Sequence, residues 1–268
     1  MVKKRRKSYK KKKSNKKKIY VAITIFSSVL IIFFILYFPL IKKFVFPSVE
    51  NSKTISEFRK ELPDFSCFGI DVSTYQYDIN WDTVLKYNDI DFVFIRATAG
   101  KDNFDKKFLR NKELLKNQNV ICGVYHYYRP NESSKSQADF FIKNVKLEIG
   151  DLAPVLDIEK LSKEKNLSVL KNELLNWLKI IEEHYKITPI IYTYNNYYSL
   201  FLQNDKRFER FPIWIAWYNT TERPENIIKD WVFWQFSDKG KLTGLEHNVD
   251  LNVFNGTKKD LDGLRLKK

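Results

Sequence analysis

The chain has 268 residues, with 47 lysines and arginines against 32 aspartates and glutamates, a formal net charge of +15. Fourteen of the basic residues and none of the acidic ones lie in residues 1–43, so the rest of the chain is nearly neutral. Two cysteines exclude a disulfide-dense scaffold, and three histidines without H-x-x-x-H or C-x-x-C spacing indicate no metal site and no cofactor.

The first 41 residues have the pattern of a membrane anchor. Residues 1–18 contain 12 lysines or arginines, and residues 19–41 are 23 uncharged, mostly apolar residues. At a rise of about 1.5 Å per residue, such a helix crosses a hydrocarbon core of about 30 Å. The apolar run is longer than that of a signal peptide and has no small-residue cleavage site, so we predict an uncleaved transmembrane helix.

The basic segment 1–18 also predicts an orientation. Positive charge stays on the cytoplasmic side, so we expect a single-pass cell-membrane protein with a cytoplasmic tail and a periplasmic or extracellular domain. A basic tail can also be a nucleic-acid arm. Beside a spanning helix it is better explained as a topology signal that contacts anionic lipid headgroups, so we expect the membrane and not nucleic acid as a partner.

Residues 42–65 show no sustained strand pattern and are interpreted as a linker with a short helix near 55–62. The remaining residues, 66–268, are enough for one domain with a sizeable core, expected to be a monomer.

Apolar, strand-like runs alternate with segments of helical spacing in the first part of this domain, at 67–72, 91–97, 120–127, 153–158 and 188–194. Such alternation implies a parallel sheet covered by helices. Three further runs, at 213–218, 231–237 and 248–254, have connections too short for full helices. The predicted fold class is therefore α/β, a TIM-like barrel of eight strands and about five helices, with the site at the strand C-termini.

The run at 153–158 leads into two acids spaced two apart, Asp157 and Glu159. Side chains two apart on a strand point the same way, so both carboxylates would open onto one site. Two close acids in a partly apolar cleft cannot both ionise easily, which raises one pKa and makes that group a general acid near neutral pH. Glycosidic bond cleavage uses such a pair. The alternative is a pair of strand-end acids capped by lysines or backbone donors.

Segments spread over nearly all of residues 67–254 resemble, in order and spacing, the family 25 glycoside hydrolases, the Chalaropsis-type lysozymes. They are FGIDVS at 68–73, FVFIRAT at 92–98, GVYHYYRP at 123–130, VLDIE at 155–159, PIIYT at 189–193, WIAWY at 214–218, WQFS at 234–237 and NVDLNVF at 248–254. The resemblance implies a barrel of five helices and eight strands. It also implies an N-acetylmuramidase that cuts the β-1,4 bond between N-acetylmuramic acid and N-acetylglucosamine in peptidoglycan.

Matched residue by residue, the resemblance implies that Glu159 is the general acid and base and Asp157 its partner. Asp71, at the end of the first strand, and Asp250, at the end of the last, are expected to face the same cleft, because these strands are neighbours in a closed barrel. Asp250 could alternatively cap a turn. The carboxyl separation distinguishes retention from inversion. The 2-acetamido group allows a third, substrate-assisted course, which is our favoured hypothesis.

Aromatic residues near the strand ends are expected to form the sugar platform, because aromatic faces stack on pyranose rings and exclude water. The best candidates are Tyr125, Tyr192 and Trp214, and the others are Tyr127, Tyr194, Tyr218 and Trp234. His126 alternates away from its neighbours and is interpreted as a hydrogen-bonded barrel residue, not a catalytic base.

Three residues depart from the family pattern in loops around the expected cleft. Ala99 stands where the family commonly has the glutamate of A-T-E-G, Tyr75 replaces a frequent histidine or tryptophan, and Tyr77 replaces a frequent glycine. The predicted function is a membrane-anchored muramidase. The alternatives are an inactive peptidoglycan-binding scaffold and a glycosidase of another acetamido-sugar polymer.

Overall fold

The computed structural model describes residues 54–267, apart from 117, 119, 219–221, 225, 226, 228 and 229. By its internal contacts the chain divides into Met1–Asn51 and Ser52–Lys268, and the second unit contains the described residues. The predicted tail 1–18 and transmembrane anchor 19–41 lie outside the described residues. Within the described part, no helix combines the length and the apolar character needed to cross a membrane.

The described residues form nine strands in one sheet. They are β1 Cys67–Val72, β2 Phe92–Ala99, β3 Asn103–Phe104, β4 Ile121–Tyr127, β5 Val155–Asp157, β6 Ile190–Tyr194, β7 Ile213–Ala216, β8 Phe233–Gly240 and β9 Val249–Phe254. Eight of them close a barrel in the order β1-β2-β4-β5-β6-β7-β8-β9, and β9 pairs back with β1. The two-residue β3 only extends the end of β2. The predicted eight-stranded, TIM-like α/β barrel is confirmed.

The last strand runs against the others. Neighbouring strands from β1 round to β8 are parallel, whereas β9 is antiparallel to both β8 and β1. The sequence predicts Asp250 at the end of the last strand, but Asp250 is the second residue of β9. Because β9 is reversed, its beginning lies at the mouth where the parallel strands end. Asp250 consequently pairs directly with Asp71 across β1 and β9.

Five helices of seven or more residues occur in the described part of the chain. They are α1 Ile55–Glu61, α2 Trp81–Asn88, α3 Phe108–Lys116, α4 Ser134–Asn144 and α5 Leu167–Tyr185. Shorter helical turns are Thr74–Gln76, Asn195–Tyr197, Tyr198–Leu202, Lys206–Phe208, Lys258–Leu261 and Asp262–Leu264. The apolar face of α5 is buried against the barrel, as its spacing predicts. The longer helices α2 to α5 follow the strands of the first half of the barrel. The outer face of the later strands is therefore covered by other segments.

The segment before β1 supplies that cover. A capping box between Thr54 and Glu57 starts α1, in the region where the sequence predicts a short helix. Leu62 and Phe65 are 3% and 6% exposed. The Phe65 ring lies 5.9 Å from the ring of Trp231, just before β8, and 6.0 Å from that of Trp234, on β8. Residues 55–65, assigned from the sequence to the linker 42–65, are thus part of the folded domain.

The barrel interior and the layer beneath the helices form two separate apolar clusters. Large rings such as Phe92 and Phe94 fill the interior because Gly69 and Gly123 face them, and a Cβ at either glycine would overlap these rings. Phe94 stacks on Trp214 with ring centroids 4.5 Å apart. The rings close the barrel below and make a floor for its mouth.

The cysteines lie on strands separated by β2, Cys67 on β1 and Cys122 on β4. Neighbouring strands are about 4.8 Å apart, so two strand spacings alone separate the residues by about 10 Å, beyond the roughly 7 Å Cα separation that a disulfide spans. The register adds to this distance, because Cys122 is level with Ile70, three residues along β1 from Cys67. Both are free thiols.

Candidate active site

A cleft of about 520 Å³ opens at the mouth of the barrel, where the parallel strands end. Its lining includes all four acids predicted from the sequence, Asp71 from β1, Asp157 and Glu159 at and after the end of β5, and Asp250 from β9. Inward-facing positions alternate along each strand, so each acid continues the row of side chains that fills the barrel below.

Two amides hold the Asp71 carboxylate in a fixed position. Gln235 Nε2 and Asn252 Nδ2 donate to Asp71 Oδ2 at 2.7 Å and 2.8 Å. Gln235 Oε1 in turn accepts hydrogen bonds from the hydroxyls of Tyr192 and Tyr218, at 2.6 Å and 2.5 Å. The two tyrosines therefore orient the amide so that its NH₂ group faces the carboxylate.

The second amide is oriented by an indole. Trp214 Nε1 donates to Asn252 Oδ1 at 2.9 Å, which turns the Asn252 NH₂ group toward Asp71. Gln235 and Asn252 lie within motifs that carry the family resemblance, but neither was predicted from the sequence to be a site residue. Their signal was available, because each is a polar residue on the inward face of an otherwise apolar strand, and Asn252 stands two residues after Asp250.

Asp71 and Asp250 form a close pair of carboxyls. The two carboxyls are hydrogen-bonded to each other, and burial raises the pKa of Asp71 to about 6 and that of Asp250 to about 9. Hydrogen bonds from Gln235 and Asn252 lower the pKa of Asp71, whereas the nearby Asp71 charge raises the pKa of Asp250 further. Two close carboxyls cannot both ionise easily, so near neutral pH Asp250 is the protonated donor and Asp71 the anion.

Asp157 is the deeper of the predicted catalytic pair. It ends β5, is 5% exposed, and its Oδ1 has no hydrogen-bond partner within the described part of the chain. Burial raises its pKa well above the usual range, and the charges of Glu159 and Asp71 raise it further. A buried acceptor without a partner is costly, so this oxygen is suited to a donor supplied by a ligand.

Glu159 lies two residues further out and is only partly buried. Burial raises the pKa of its carboxyl, while Lys160 and a hydrogen bond from the Tyr194 hydroxyl lower it. A partly buried acid with a raised pKa, open to the cleft, is suited to give a proton to a bound molecule.

Arg96 on β2 brings a cationic group that lowers the pKa of Asp157. Its Nε donates to Asp105 Oδ2 at 2.9 Å, and the same oxygen accepts the Thr74 backbone N–H at 2.9 Å. The arginine is therefore held in the cleft wall by a buried aspartate. Among the described residues, no group of three histidine, cysteine or acidic side chains is placed to hold a metal ion.

Six of the seven aromatic residues predicted as a sugar platform line the cleft, namely Tyr125, Tyr127, Tyr192, Tyr194, Trp214 and Tyr218. Trp234 does not. It adjoins the inward-facing Gln235, so it points out of the barrel, where it is fully buried and its Nε1 donates to Trp217 O. The prediction placed it on the wrong face of β8.

His126 is a buried structural residue, as the sequence predicts. Its Nδ1 lies 2.7 Å from Thr98 Oγ1, its Nε2 lies 3.2 Å from Gln137 Oε1, and its ring stacks on Trp177.

A family model described as glycosyl hydrolases family 25 matches residues 70–245. The chain is 36% identical to YegX of Escherichia coli strain K12, described as uncharacterized, over 80% of each chain. It is 32% identical to Lysozyme M1 of Streptomyces globisporus, over 70% of this chain and 68% of that one. A solved family 25 glycosyl hydrolase from Bacillus anthracis superposes with a TM-score of 0.69 at 30% identity, covering 75% of this chain and 94% of that one.

A closed α/β barrel with paired carboxyls at its mouth is an arrangement that glycoside hydrolases use. The chain belongs to the family 25 glycosyl hydrolases, whose members include lysozymes and muramidases.

Proposed function

We propose that the chain is a muramidase that hydrolyses the β-1,4 bond between N-acetylmuramic acid and N-acetylglucosamine in peptidoglycan. The observation that carries the proposal is the set of four carboxyls at the barrel mouth, with Glu159 partly buried and Asp157 deeper. The similarity to Lysozyme M1 supports this choice of bond over those of other glycan polymers.

Glu159 is the general acid and base in this proposal. Burial raises the pKa of its carboxyl, which favours the protonated form that a general acid needs, and its place above β5 gives access to a glycosidic oxygen in the cleft. The proton passes to the leaving oxygen as the bond to the sugar C1 breaks. The resulting carboxylate then takes a proton from the incoming water, which restores the acid.

Asp157 acts on the substrate's acetamido group. Its unpartnered Oδ1 accepts the acetamido N–H, and the acetamido carbonyl oxygen attacks C1 as the leaving oxygen departs. The new C1–O bond makes a cyclic cation, which Asp157 stabilises, and water at C1 opens it to the reducing sugar with overall retention. A glycosyl ester trapped on Asp157 would contradict this course in favour of direct attack by the carboxylate.

Muropeptide release from purified peptidoglycan by the full-length chain in detergent micelles tests the function. Borohydride-reduced products should carry muramitol ends, identified by mass spectrometry. Glu159→Gln should lower the rate by about 10²–10⁴-fold, because that is the contribution that a general acid makes to catalysis. Glu183→Gln is the matched control, since Glu183 lies on the surface of α5 beside Lys179 and its loss should leave the rate unchanged.

The products also separate the alternatives. Reducing ends released from chitin or another acetamido-sugar polymer, and not from peptidoglycan, would assign a different substrate. Tight peptidoglycan binding without release by the folded wild-type chain would assign a non-catalytic scaffold.

We also propose that residues 19–41 anchor the enzyme in the cell membrane, with residues 1–18 cytoplasmic and the barrel exported. The support is the 23-residue uncharged run behind a basic tail. The chain should stay in the membrane fraction after alkaline carbonate extraction, and protease added outside spheroplasts should digest the barrel but spare the tail. A soluble product truncated after residue 41 would refute the anchor.

A further inference from the structure

Three aromatic side chains stand exposed beside the cleft, on the side of β1 and β9. Tyr75 and Tyr77 are 71% and 62% exposed, and the exposed His247 ring lies 4.7 Å from that of Tyr77, with the two planes inclined by 34°. We refer to Tyr75, Tyr77 and His247 as the aromatic rim. Tyr75 already lines the cleft, and His247 precedes the cleft residue Asp250 by three positions, so the aromatic rim continues the cleft wall outward.

The rim is mounted on a fixed turn. Gln76 Oε1 accepts the Ser73 backbone N–H at 2.9 Å, and Gln76 Nε2 donates to Asn248 O at 3.1 Å. The turn after β1 is thus joined to the residues that lead into β9, next to His247. On its other side, the Arg96 guanidinium lies over the Tyr75 ring at 5.0 Å. Exposed rings on a rigid support bind with little loss of conformational entropy.

Tyr77 holds its exposed position against a backbone preference. Its φ of 55° is combined with a ψ of −134°, outside the left-handed helical region in which Asp89 and Lys186 end their helices. Residues with a Cβ are disfavoured there, and glycine is the residue that tolerates this conformation. The Tyr77 ring is 62% exposed, so its packing contributes too little stability to explain a tyrosine at this strained position. A role for the ring in contact with a ligand does explain it.

We propose that the aromatic rim is an additional glycan subsite, which binds a sugar of the same strand remote from the bond being cleaved. The occupant follows from continuity with the cleft, since Tyr75 lines the same cleft as Asp71 and Asp250, and the exposed Tyr77 lies two residues beyond Tyr75. Aromatic faces stack on the apolar faces of pyranose rings. The inference rests on the proposed function and makes the enzyme selective for long glycan strands.

Binding of peptide-free peptidoglycan oligosaccharides to the full-length chain carrying Glu159→Gln tests the subsite without turnover. Calorimetry should show that adding Tyr77→Gly and His247→Ala, the two rim residues that do not line the cleft, weakens binding of an octasaccharide by about tenfold, the loss of about one stacking contact. Binding of a tetrasaccharide that fills only the cleft should be unchanged. Tyr87→Ala is the matched control, because Tyr87 is 60% exposed but lies on α2 and does not line the cleft.

Thermal unfolding of the same variants shows whether they are folded. Tyr77→Gly removes the strained backbone, so its thermal unfolding temperature should equal or exceed that of the parent chain, which excludes misfolding as the cause of weaker binding. Equal losses for both oligosaccharides, or no loss for either, would overturn the rim subsite while the muramidase proposal stands. A length effect seen only with glycans that carry stem peptides would also overturn it, in favour of a peptide site. Absence of glycan binding and hydrolysis by the wild-type chain would overturn both proposals.

Discussion

The charge on a single carboxylate depends on residues from four strands. Asp71 is ionised near neutral pH because Gln235 and Asn252 both donate to it. Those amides are themselves oriented by ring hydroxyls and an indole N–H. The buried network is fully connected on this side, so removal of one donor affects the ionisation of the acid and not only its position.

Gln235→Met removes one donor with little change in volume. The pKa of Asp71 should rise above about 6, because the remaining hydrogen bond stabilises the anion less. A hydrogen bond to a charged group contributes about 1.5–3 kcal/mol, so the acid limb of the pH profile of kcat/KM should move up by about one to two pH units. Gln118→Met, which alters a surface glutamine that donates to Asp82, should leave the profile in place. An unshifted limb in the Gln235 variant would show that ionised Asp71 is not required.

The face of a strand on which a side chain lies was predictable where the residue spacing shows which positions point inward. Asp157 and Glu159 stand two apart, so their common face follows from the strand repeat alone. The phase of β8 was not evident, because Trp234 and Phe236 alternate with Gln235 and Ser237, and Trp234 was taken as a cleft residue. The structure reverses that choice, since β8 places its aromatics under α1 and its amide in the cleft.

At the scale of elements, α1 replaces the helix that β8 lacks. Phe58 contacts Phe236 edge-on at 4.7 Å, and Leu62 and Phe65 are buried in the same cluster. Their spacing along the chain was visible in the sequence as a helical pattern. The surface on which this helix packs was not predictable from the sequence. A seven-residue helix can pack on any exposed apolar face, and only the tertiary structure selects which.

Leu62→Ala should lower the free energy of unfolding by about 2–4 kcal/mol, because it leaves a cavity between the end of α1 and the barrel. Leu161→Ala is the control, since Leu161 is 45% exposed and its loss should change stability by less than about 0.5 kcal/mol. Urea titrations followed by tryptophan fluorescence give both values. Equal effects of the two substitutions would mean that residues 55–65 are not integral to the domain.

Element order and type were predictable from apolar runs, and strand direction was not. A buried apolar strand has the same composition in either direction, so the run at 248–254 could not show that β9 is antiparallel. The short connection between β8 and β9 was the available signal, because parallel neighbours need a long crossover whereas antiparallel ones do not.

For the whole molecule, the carboxyl cluster makes stability depend on pH. The pKa values of Asp71 and Asp250 in the folded state, about 6 and about 9, lie above the value of about 3.9 expected for unfolded aspartate. Between these limits the folded state binds more protons than the unfolded state. The free energy of unfolding contributed by these groups is therefore fully present at about pH 4 and falls as pH rises through about 6 and about 9.

Asp250→Asn removes the group with the higher pKa of this pair. The variant should unfold about 4 °C above the wild type at pH 8, and the difference should vanish near pH 4, where the wild-type carboxyl is protonated. Asp64→Asn is the control, because Asp64 has a side chain that is 74% exposed and should give the same difference at both pH values. Scanning calorimetry across pH 4–9 measures this, and parallel curves for wild type and Asp250→Asn would contradict the assignment.

The pairing of β1 with β9, which closes the barrel, is also the step that completes the carboxyl site in a newly made chain. Asp71 lies 181 residues before Asn252, one of the two groups that hold its charge, and β9 is the last strand of the barrel to leave the ribosome. Contacts so distant in sequence form late in folding. A nascent or prematurely terminated chain therefore carries the acids of β1 and β5 without the partners that tune them, and a bond-cleaving centre exists only after the final strand has closed the ring.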